Sequence, residues 1–559
     1  MNNKLRIGLL LDNYQLPAWI NLMVTRVAQS EHAEIVLVVL NGATRKRRNF
    51  LDKLRPEWRT IPTRLVSRVL RGVWLKLMER VQFENNAFEI GDLEPLLHGV
   101  PTITVQPVQK KYSDYLIDDD ISSIKAFQLD VLVRLGFRVL KGPILKAARY
   151  GVWSYHHGDN LVNRGGPAGF WETMESWSET GTALQILTED LDGGQILYRS
   201  WSCTNQRSVA RNNNARYWTS ASFLPRMIDR LGAVGDQQFF DEVTRLSPHP
   251  TFYSNRLYLK PSNKELSLLL FKKFWVRMKT RIFGYFYFDQ WCILFSRHPD
   301  IATSLRRFSQ IVPPRDRFWA DPNVVSRNDS YYIYIEEFIY ARDKGHISLI
   351  VMDREGEHGK PISVIDEPHH LSYPFVFEYE KTLYMLAEAS QARCVPLYRC
   401  IRFPDKWTLE RNLFEDIEAV DPTLLFHNGK WFLFLGVAEN RGSSASDELF
   451  LYFSDNPITG TWTPHPLNPI ISDVKTARPG GRIIARDGLL FRPSQNCGHY
   501  YGYGLNLSQI TSLSELEYAE RKVTAIEPKW NNKITGVHTL SNAHQLTVVD
   551  APLRRAKYW

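Results

Sequence analysis

Apolar runs of strand length alternate with helix-like segments through residues 1–205. LRIGLLL, AEIVLVVLNG, QLDVLVRLGF and GVWSYHH are rich in apolar residues, and segments such as PAWINLMVTRVAQS come between them. Short apolar strands that alternate with helices are typical of a mostly parallel sheet covered on both faces. The pattern predicts an α/β domain of the Rossmann type over residues 1–205.

The pattern changes over residues 206–289, which we predict to form a helical connector. Within residues 265–289, lysines and arginines interrupt a run of aromatic and aliphatic residues. One interpretation is a helix that packs one domain on the other. The alternative is a helix in peripheral contact with an anionic membrane, its basic side chains reaching the headgroups.

Residues 290–559 repeat one pattern five times: a polar residue, usually before proline, then an apolar run, a turn and an aromatic-rich run. The polar residues are Asp321, Tyr373, Asp421, Arg478 and His538, at spacings of 48 to 60 residues. Each segment predicts a hairpin, and repeats of this length are typical of propeller blades. We therefore predict an all-β five-bladed β-propeller. These five side chains would then converge in the central funnel of the propeller. The structural alternative is that they only cap the strands of the blades.

Composition narrows the class of protein. With 44% hydrophobic and 23% charged residues the chain is typical of folded soluble proteins, and its charge of +9 favours acidic partners. The five cysteines form no CxxC pair, so we expect no disulfide framework and no metal site. We expect a cytoplasmic protein, with peripheral membrane association as the alternative, because no apolar run is long enough for a signal peptide or a membrane helix. The basic residues are dispersed, which disfavours nucleic acid.

Two polar clusters follow predicted strands in the α/β domain. SYHHGD ends one strand, and LDGG lies between the next two. Because sites of open α/β sheets lie at the carboxyl ends of strands, we expect His156 and Asp192 to meet there.

The ordered series SYHHGD, NRGG, TGTALQIL and DLDGG resembles the formyltransferase family, which includes methionyl-tRNA, glycinamide ribonucleotide and sugar N-formyltransferases. Aligned on Arg164, the family histidine falls on His156 and its aspartate on Asp192. The family's catalytic asparagine falls on Ser154. The resemblance implies a formyltransferase-like fold and formyl-tetrahydrofolate as the donor.

The resemblance also implies roles for these residues. His156 would stabilise the oxyanion on the formyl oxygen, and Asp192 would raise the pKa of that histidine and order a proton-shuttling water. Ser154 would assist, although its side chain is shorter than asparagine; His157 or a water could substitute. Further candidates for substrate binding, each with a structural alternative, are His157, Asp159 and Arg164. The donor pocket would be lined by Arg134, Leu135 and Gly136.

The propeller region resembles the one at the front of plant glucosamine inositolphosphorylceramide transferases and in bacterial polysaccharide-cluster proteins, through FWADP, LSYPFVFE, VDPT, ARPGG, RPSQN and GVHTL. It is more distantly similar to five-bladed glycosidases, whose funnels hold three acids. Glu388 or Glu337 would then join Asp321 and Asp421. Because Arg478 and His538 suit an anionic or hydroxyl-rich ligand, we favour glycan binding over hydrolysis.

Together these features predict formyl or related acyl transfer to an amino group of a sugar, nucleotide-sugar or glycan acceptor in surface polysaccharide biosynthesis, with the propeller holding the glycan. One alternative is a non-catalytic glycan-binding scaffold protein. Another is glycoside hydrolysis or glycosyl transfer on the propeller.

Overall fold

The computed structural model describes residues 4–43, 69–70, 72–74, 81–246, 252–298, 305–529 and 531–558. The chain divides into two compact units. The first comprises Met1–Phe274 with Asn440–Ser443, and the second comprises Trp275–Glu439 with Ser444–Trp559. The predicted domain boundaries after residues 205 and 289 stay predictions, and residues 247–251 of the predicted connector lie outside the described residues.

The first unit is built on a largely parallel sheet. Its strands are β1 (Leu5–Leu11), β2 (Gln15–Pro17), β3 (Ala33–Asn41), β4 (Ile90–Asp92), β5 (Thr102–Val105), β6 (Val108–Gln109), β7 (Ser113–Tyr115), β8 (Val131–Arg134), β9 (Val139–Leu140), β10 (Val152–His156), β11 (Glu179–Ile186) and β12 (Gln195–Cys203). Seven of them form one sheet in the order β12-β11-β10-β8-β1-β3-β5. Strands β10, β8, β1, β3 and β5 run parallel, and β11 and β12 are antiparallel additions. The predicted α/β class is confirmed.

Helices precede the all-β region in the part of the chain that the structure describes, and the first of them packs an apolar stripe against the sheet. They are α1 (Ala18–Gln29), α2 (Asp118–Lys125), α3 (Phe170–Glu175), α4 (Val209–Ser220), α5 (Phe223–Val234), α6 (Asp236–Leu246) and α7 (Asn263–Phe286). In α1, the buried residues Trp19, Met23 and Val27 recur every four positions, which places them on one face. Phe223 of α5 and Phe239 of α6 are buried in the same core. No helix that the structure describes is long and apolar enough to cross a membrane.

The second unit is all-β. Its strands are β13 (Tyr287–Ser296), β14 (Ser309–Ile311), β15 (Arg317–Arg327), β16 (Ser330–Ile339), β17 (Lys344–Met352), β18 (Ile362–Ile365), β19 (Ser372–Tyr379), β20 (Thr382–Glu388), β21 (Cys394–Arg402), β22 (Lys406–Glu415), β23 (Ala419–His427), β24 (Lys430–Val437), β25 (Leu449–Ser454), β26 (Thr463–Pro464), β27 (Ile484–Arg486), β28 (Leu489–Asn496), β29 (Gly504–Leu513), β30 (Tyr518–Ile526), β31 (Leu540–Ala543) and β32 (Leu546–Ala556). They form four-stranded antiparallel sheets, of which four use consecutive strands, β15–β18, β19–β22, β23–β26 and β27–β30. The fifth, β14-β13-β32-β31, joins the first strands of this region to the last.

The five predicted hairpins are present. They pair β15 with β16, β19 with β20, β23 with β24, β27 with β28, and β31 with β32. Positive φ angles occur in each turn, for example at Asn428 and Gly429, as tight hairpin turns require. The predicted all-β class is therefore confirmed, whereas the arrangement of the sheets as propeller blades stays a prediction.

Candidate functional site

His156 and Asp192 lie side by side at one edge of the parallel sheet. His156 is the last residue of β10, and Asp192 lies in the turn between β11 and β12 with a φ of 49°. Nδ1 of His156 is 3.3 Å from Oδ2 of Asp192, and Gln185 donates to Oδ1 of the same carboxylate at 3.2 Å. The sheet thus brings together the two residues that the sequence paired.

Both ring nitrogens of His156 have partners. Nε2 lies 2.7 Å from the carbonyl oxygen of Asn163, so an acceptor faces each nitrogen. Only the doubly protonated ring donates to both. Burial opposes that charge, but Asp192 and the Asn163 carbonyl raise the pKa of His156 above its ordinary value overall. This geometry holds an imidazolium in place, but it leaves neither N–H directed at a substrate.

Ser154 is bound by an arginine. Arg134, at the end of the neighbouring β8, donates from Nε to Oγ of Ser154 at 2.9 Å and from Nη1 to the carbonyl of Arg138 at 2.9 Å. Burial lowers the pKa of Arg134, and the charges of Asp192 and Asp12 oppose this. A guanidinium therefore lies beside the serine that replaces the family's asparagine.

Leu135 and Gly136, which follow Arg134, are predicted to line the pocket of the folate donor. The backbone N–H groups of Leu135 and Gly136 both donate to the carbonyl of Leu10, at 3.0 Å and 2.8 Å. A β-carbon on Gly136 would lie 2.4 Å from the backbone nitrogen of Asp12. Both donors are thus used inside the fold. These N–H groups are therefore not free for a donor, and the folate donor with its pocket at Arg134, Leu135 and Gly136 stays a prediction.

His157 faces an aromatic cluster. Its ring stacks on Tyr217 at 3.7 Å and meets the edge of Trp19 at 5.3 Å. Burial, together with the nearby Arg216, holds the pKa of His157 well below its ordinary value. A neutral, stacked ring is typical of a residue that packs in the core. It favours this structural role for His157 over the role of replacing the family's catalytic asparagine.

Asp159 and Arg164 brace the loop after β10. Oδ1 of Asp159 accepts from the N–H of Leu161 at 3.0 Å, and Oδ2 accepts from the indole of Trp201 at 2.9 Å. Nε of Arg164 donates to the carbonyl of Asn160 at 2.9 Å. These contacts favour the structural alternatives for both residues.

In the all-β unit, three of the five repeated polar positions share one local geometry. Asp321, Tyr373 and Asp421 have φ angles of 51°, 47° and 53°, and each lies where the strand shifts register against its partner. The freed N–H groups donate to carboxylates: that of Asp321 to Asp550, that of Tyr373 to Asp321. The N–H of Asp421 likewise donates to Glu388 at 3.3 Å. The repeated bulge brings these residues together.

The two cations of the repeat are each enclosed by carboxylates. Nδ1 of His538 lies 3.2 Å from Asp321 and 2.8 Å from Asp550, and these charges raise its pKa well above the ordinary value against the effect of burial. Arg478 donates to Asp421 and, at 3.4 Å, to Glu388. We call these six residues, Asp321, Glu388, Asp421, Arg478, His538 and Asp550, the charged cluster.

Two predictions concern residues in or near the charged cluster: the absence of a metal site and the choice of Glu388 or Glu337 as the third acid of a glycosidase-like funnel. Ligand atoms of Asp321, His538 and Asp550 lie within 4.8 Å of one another, as in a metal site, but a protonated His538 makes an ion pair instead. Glu337 lies outside the cluster. It accepts from Arg317, Trp319 and Ser348, and these bonds, with His346, lower its pKa to about 2 although burial opposes them.

Sequence reasoning missed Asp550, Glu336 and Tyr501. Asp550 is an acid flanked by the apolar residues Val549 and Ala551 in β32, which is a usable signal. Glu336 is buried at the end of β16, and burial with the nearby Asp321 and Glu388 raises its pKa well above the ordinary value. Tyr501 lies in a loop, and only its contacts reveal it.

Helix α7 spans most of the predicted membrane-contact segment. Leu270 and Lys273 are buried, and Nζ of Lys273 donates to Ser176 at 2.8 Å. By contrast Leu268 is 61% exposed and Ile282 is 56% exposed. The helix therefore has both a packed face and a solvent-facing apolar one.

Comparison with known proteins divides the chain in the same way. Residues 306–552 match the family described as glucosamine inositolphosphorylceramide transferase 1, N-terminal. The rice (Oryza sativa subsp. japonica) glucosamine inositolphosphorylceramide transferase 1 is 35% identical over 206 residues, which are 36% of this chain and 27% of that protein. The chain thus spans about a quarter of its length.

A weaker sequence similarity links the chain to methionyl-tRNA formyltransferases. Methionyl-tRNA formyltransferase of Bacillus mycoides is 28% identical over 101 residues, 18% of this chain and 30% of that protein.

Among solved structures, the family 117 glycoside hydrolase Zg3597 of Zobellia galactanivorans covers 47% of this chain and 90% of its own, at 13% identity and a TM-score of 0.32. The sequence similarities agree with the formyltransferase-like and transferase-like resemblances of the two regions.

Proposed function

We propose that the first unit transfers a small acyl group, formyl or a close relative, to an amine of a sugar-linked acceptor. The observation that carries this proposal is the ion pair of His156 and Asp192 at the carboxyl edge of the sheet, beside Arg134 and Ser154. A buried imidazolium, a carboxylate, a guanidinium and a hydroxyl supply the groups that acyl transfer to an amine requires.

The chemistry follows from these positions. The amine nitrogen forms a bond to the acyl carbon, and the carbonyl π electrons move onto oxygen. Arg134 and Ser154 stabilise that oxyanion, since the guanidinium is the cation beside the hydroxyl. Collapse of the oxyanion breaks the bond to the donor. The proton that the amine loses passes through the carboxylate of Asp192 to the departing atom, while His156 holds this carboxylate in position.

No step is assigned to a folate, because the backbone N–H groups of Leu135 and Gly136 are engaged inside the fold. Formyl-tetrahydrofolate therefore remains a donor to be tested against others. We would incubate the protein with UDP- and dTDP-linked amino sugars and, separately, formyl-tetrahydrofolate or acetyl-coenzyme A. Mass spectrometry should find the acyl-amino product with one donor, and Asp192→Asn should abolish it. If no acceptor is acylated by either donor, acyl transfer is refuted and the scaffold alternative is favoured.

We also propose that the five antiparallel sheets are blades of a propeller and that their charged cluster binds a glycan. The support is that polar residues of four sheets converge there: Asp321, Glu388, Asp421 and Arg478 with His538 and Asp550. Hydrolysis needs a proton donor and a free carboxylate on opposite sides of the sugar. Here Arg478 and His538 engage all four carboxylates of the charged cluster, which favours binding.

Glycan binding can be separated from acyl transfer by matched variants. On an array of oligosaccharides, Asp421→Asn should weaken binding, whereas Asp192→Asn should not. Incubation with nitrophenyl glycosides tests the hydrolytic alternative. Release of nitrophenol that Asp321→Asn removes would replace the binding proposal with hydrolysis.

We further propose a cytoplasmic protein in which α7 contacts anionic membrane. The apolar and basic side chains of α7 support this proposal. Flotation with phosphatidylglycerol vesicles at low salt should recover the protein, and Leu268→Ser with Ile282→Ser should reduce the recovery.

A further inference from the structure

Tyr501 is exposed while the charged side chains beneath it are buried. Its exposed fraction is 48%, against 9% for Arg478 and 2% for His538. The guanidinium carbon of Arg478 lies over the Tyr501 ring, 4.8 Å from its centroid, and the His538 ring is 4.7 Å away. One aromatic ring therefore contacts both cations and forms part of the solvent-facing surface of the charged cluster.

The loop that carries Tyr501 is held firmly. Gly502 has a φ of 74°, and a β-carbon there would lie 2.4 Å from the ring of Trp291. The carbonyl of Gly502 accepts from the N–H of Val537 at 3.1 Å, and the hydroxyl of Tyr500 donates to the carbonyl of Thr535 at 2.6 Å. The ring is thus held in position before a ligand arrives, which lowers the entropic cost of binding.

Carboxylates outnumber cations in the charged cluster, four to two. Arg478 contacts Asp421 and Glu388, and His538 contacts Asp321 and Asp550, so each cation already has two carboxylate partners. Burial also raises the pKa of Asp421 to about 7, although Arg478 opposes this rise. An anionic ligand would meet carboxylates without an uncompensated cation in the cluster. A hydroxyl-rich neutral ligand instead finds acceptors and donors.

We propose that Tyr501 is the stacking platform for the ring of an uncharged sugar, with Trp291 at its side and Arg478, held by Asp421, donating to the hydroxyl groups. The inference rests on the proposed glycan binding of the second unit and names its ligand class. Arg478 covers one face of the tyrosine, and the remaining surface accepts the apolar C–H face of the sugar. Trp291 lies 6.5 Å from Tyr501, centroid to centroid, close enough to border the same ring.

The test uses the full chain on an array of neutral oligosaccharides, with sulfated and uronate oligosaccharides as the anionic set. We expect the wild type to bind neutral members and Tyr501→Ala to lose about tenfold in affinity, the size of one ring-stacking contact. Tyr501→Phe should bind like the wild type. Tyr112→Ala removes a tyrosine of the first unit that is 71% exposed and should have no effect.

Folding of each variant would be checked by circular dichroism. Should Tyr501→Ala misfold, Tyr501→Leu keeps apolar bulk without a flat face, and the same loss is expected. Unchanged binding by Tyr501→Ala or Tyr501→Leu, with binding still lost in Asp421→Asn, overturns the stacking platform and leaves glycan binding intact. A wild type that binds only anionic members overturns the ligand class. Absence of any binding by the wild type overturns the proposed glycan function itself.

Discussion

Nδ1 of His156 lies 3.3 Å from Oδ2 of Asp192, two residues that distant parts of the sequence contribute. Because Asp192 stabilises the charged ring, the His156 pKa lies above the ordinary value of about 6.5. Asp192→Asn should therefore lower it, as NMR titration of the imidazole C–H would show. Asp190→Asn, in the same turn, is the control and should leave the titration unchanged. An unaltered pKa in Asp192→Asn would contradict the pairing.

The same pair predicts a pH dependence of stability. A raised folded pKa means that the stabilising charge on His156 is fully present below about pH 6.5 and is lost as the pH rises through the higher folded value. The stability difference between the wild type and His156→Gln should therefore shrink on going from pH 6 to alkaline pH. Urea unfolding at a series of pH values measures it. A difference that grows with pH would show that the ring is neutral when folded.

Arg134 should be more important for acyl transfer than for acceptor binding. Removing the cation beside Ser154 takes away a donor to the oxyanion, so Arg134→Ala should lower kcat about a hundredfold with a small change in KM. Arg149→Ala, an exposed arginine of the same unit, is the control. An equal fall of kcat in both variants, or a change confined to KM, would show that Arg134 does not stabilise the oxyanion.

Glu337 should stabilise the second unit without binding glycan. Its pKa of about 2 means that the ionised form adds up to about 3 kcal/mol at neutral pH, present above the unfolded value and lost as the pH falls towards 2. Glu337→Gln should show this loss in urea unfolding and bind glycans normally. Loss of glycan binding in a folded Glu337→Gln protein would show that Glu337 belongs to the glycan site.

Breaking the Arg478–Asp421 pair should cost more than removing both charges. Arg478→Met leaves Asp421 buried without its cation and should lower the free energy of unfolding by about 3–5 kcal/mol. The double variant with Asp421→Asn should recover part of this loss. A double variant that is less stable by the full sum of the two single changes would show that the residues do not interact.

Local pattern was enough to predict both fold classes and the hairpins. The turn at Asn428 and Gly429 is an example, since an Asn-Gly pair favours positive φ whatever surrounds it. The Pro-preceding residues Asp321, Tyr373 and Asp421 likewise mark a repeated bulge. The partners of these residues were less predictable, since Asp550 and Glu388 reach them from other sheets.

The sequence by itself determined the periodicity of strands and helices, because burial of alternating or helical faces depends on near neighbours in the chain. It also determined that a histidine ends one strand and that an aspartate lies in the turn between the next two. Only the tertiary structure decided what each group does with its hydrogen bonds. Arg134 donates to Ser154, the Asn163 carbonyl lies against the second nitrogen of His156, and each cation of the charged cluster contacts two carboxylates. The partners in these contacts are far apart in the sequence. Charge and hydrogen bonding can select them only after folding has brought the residues close together.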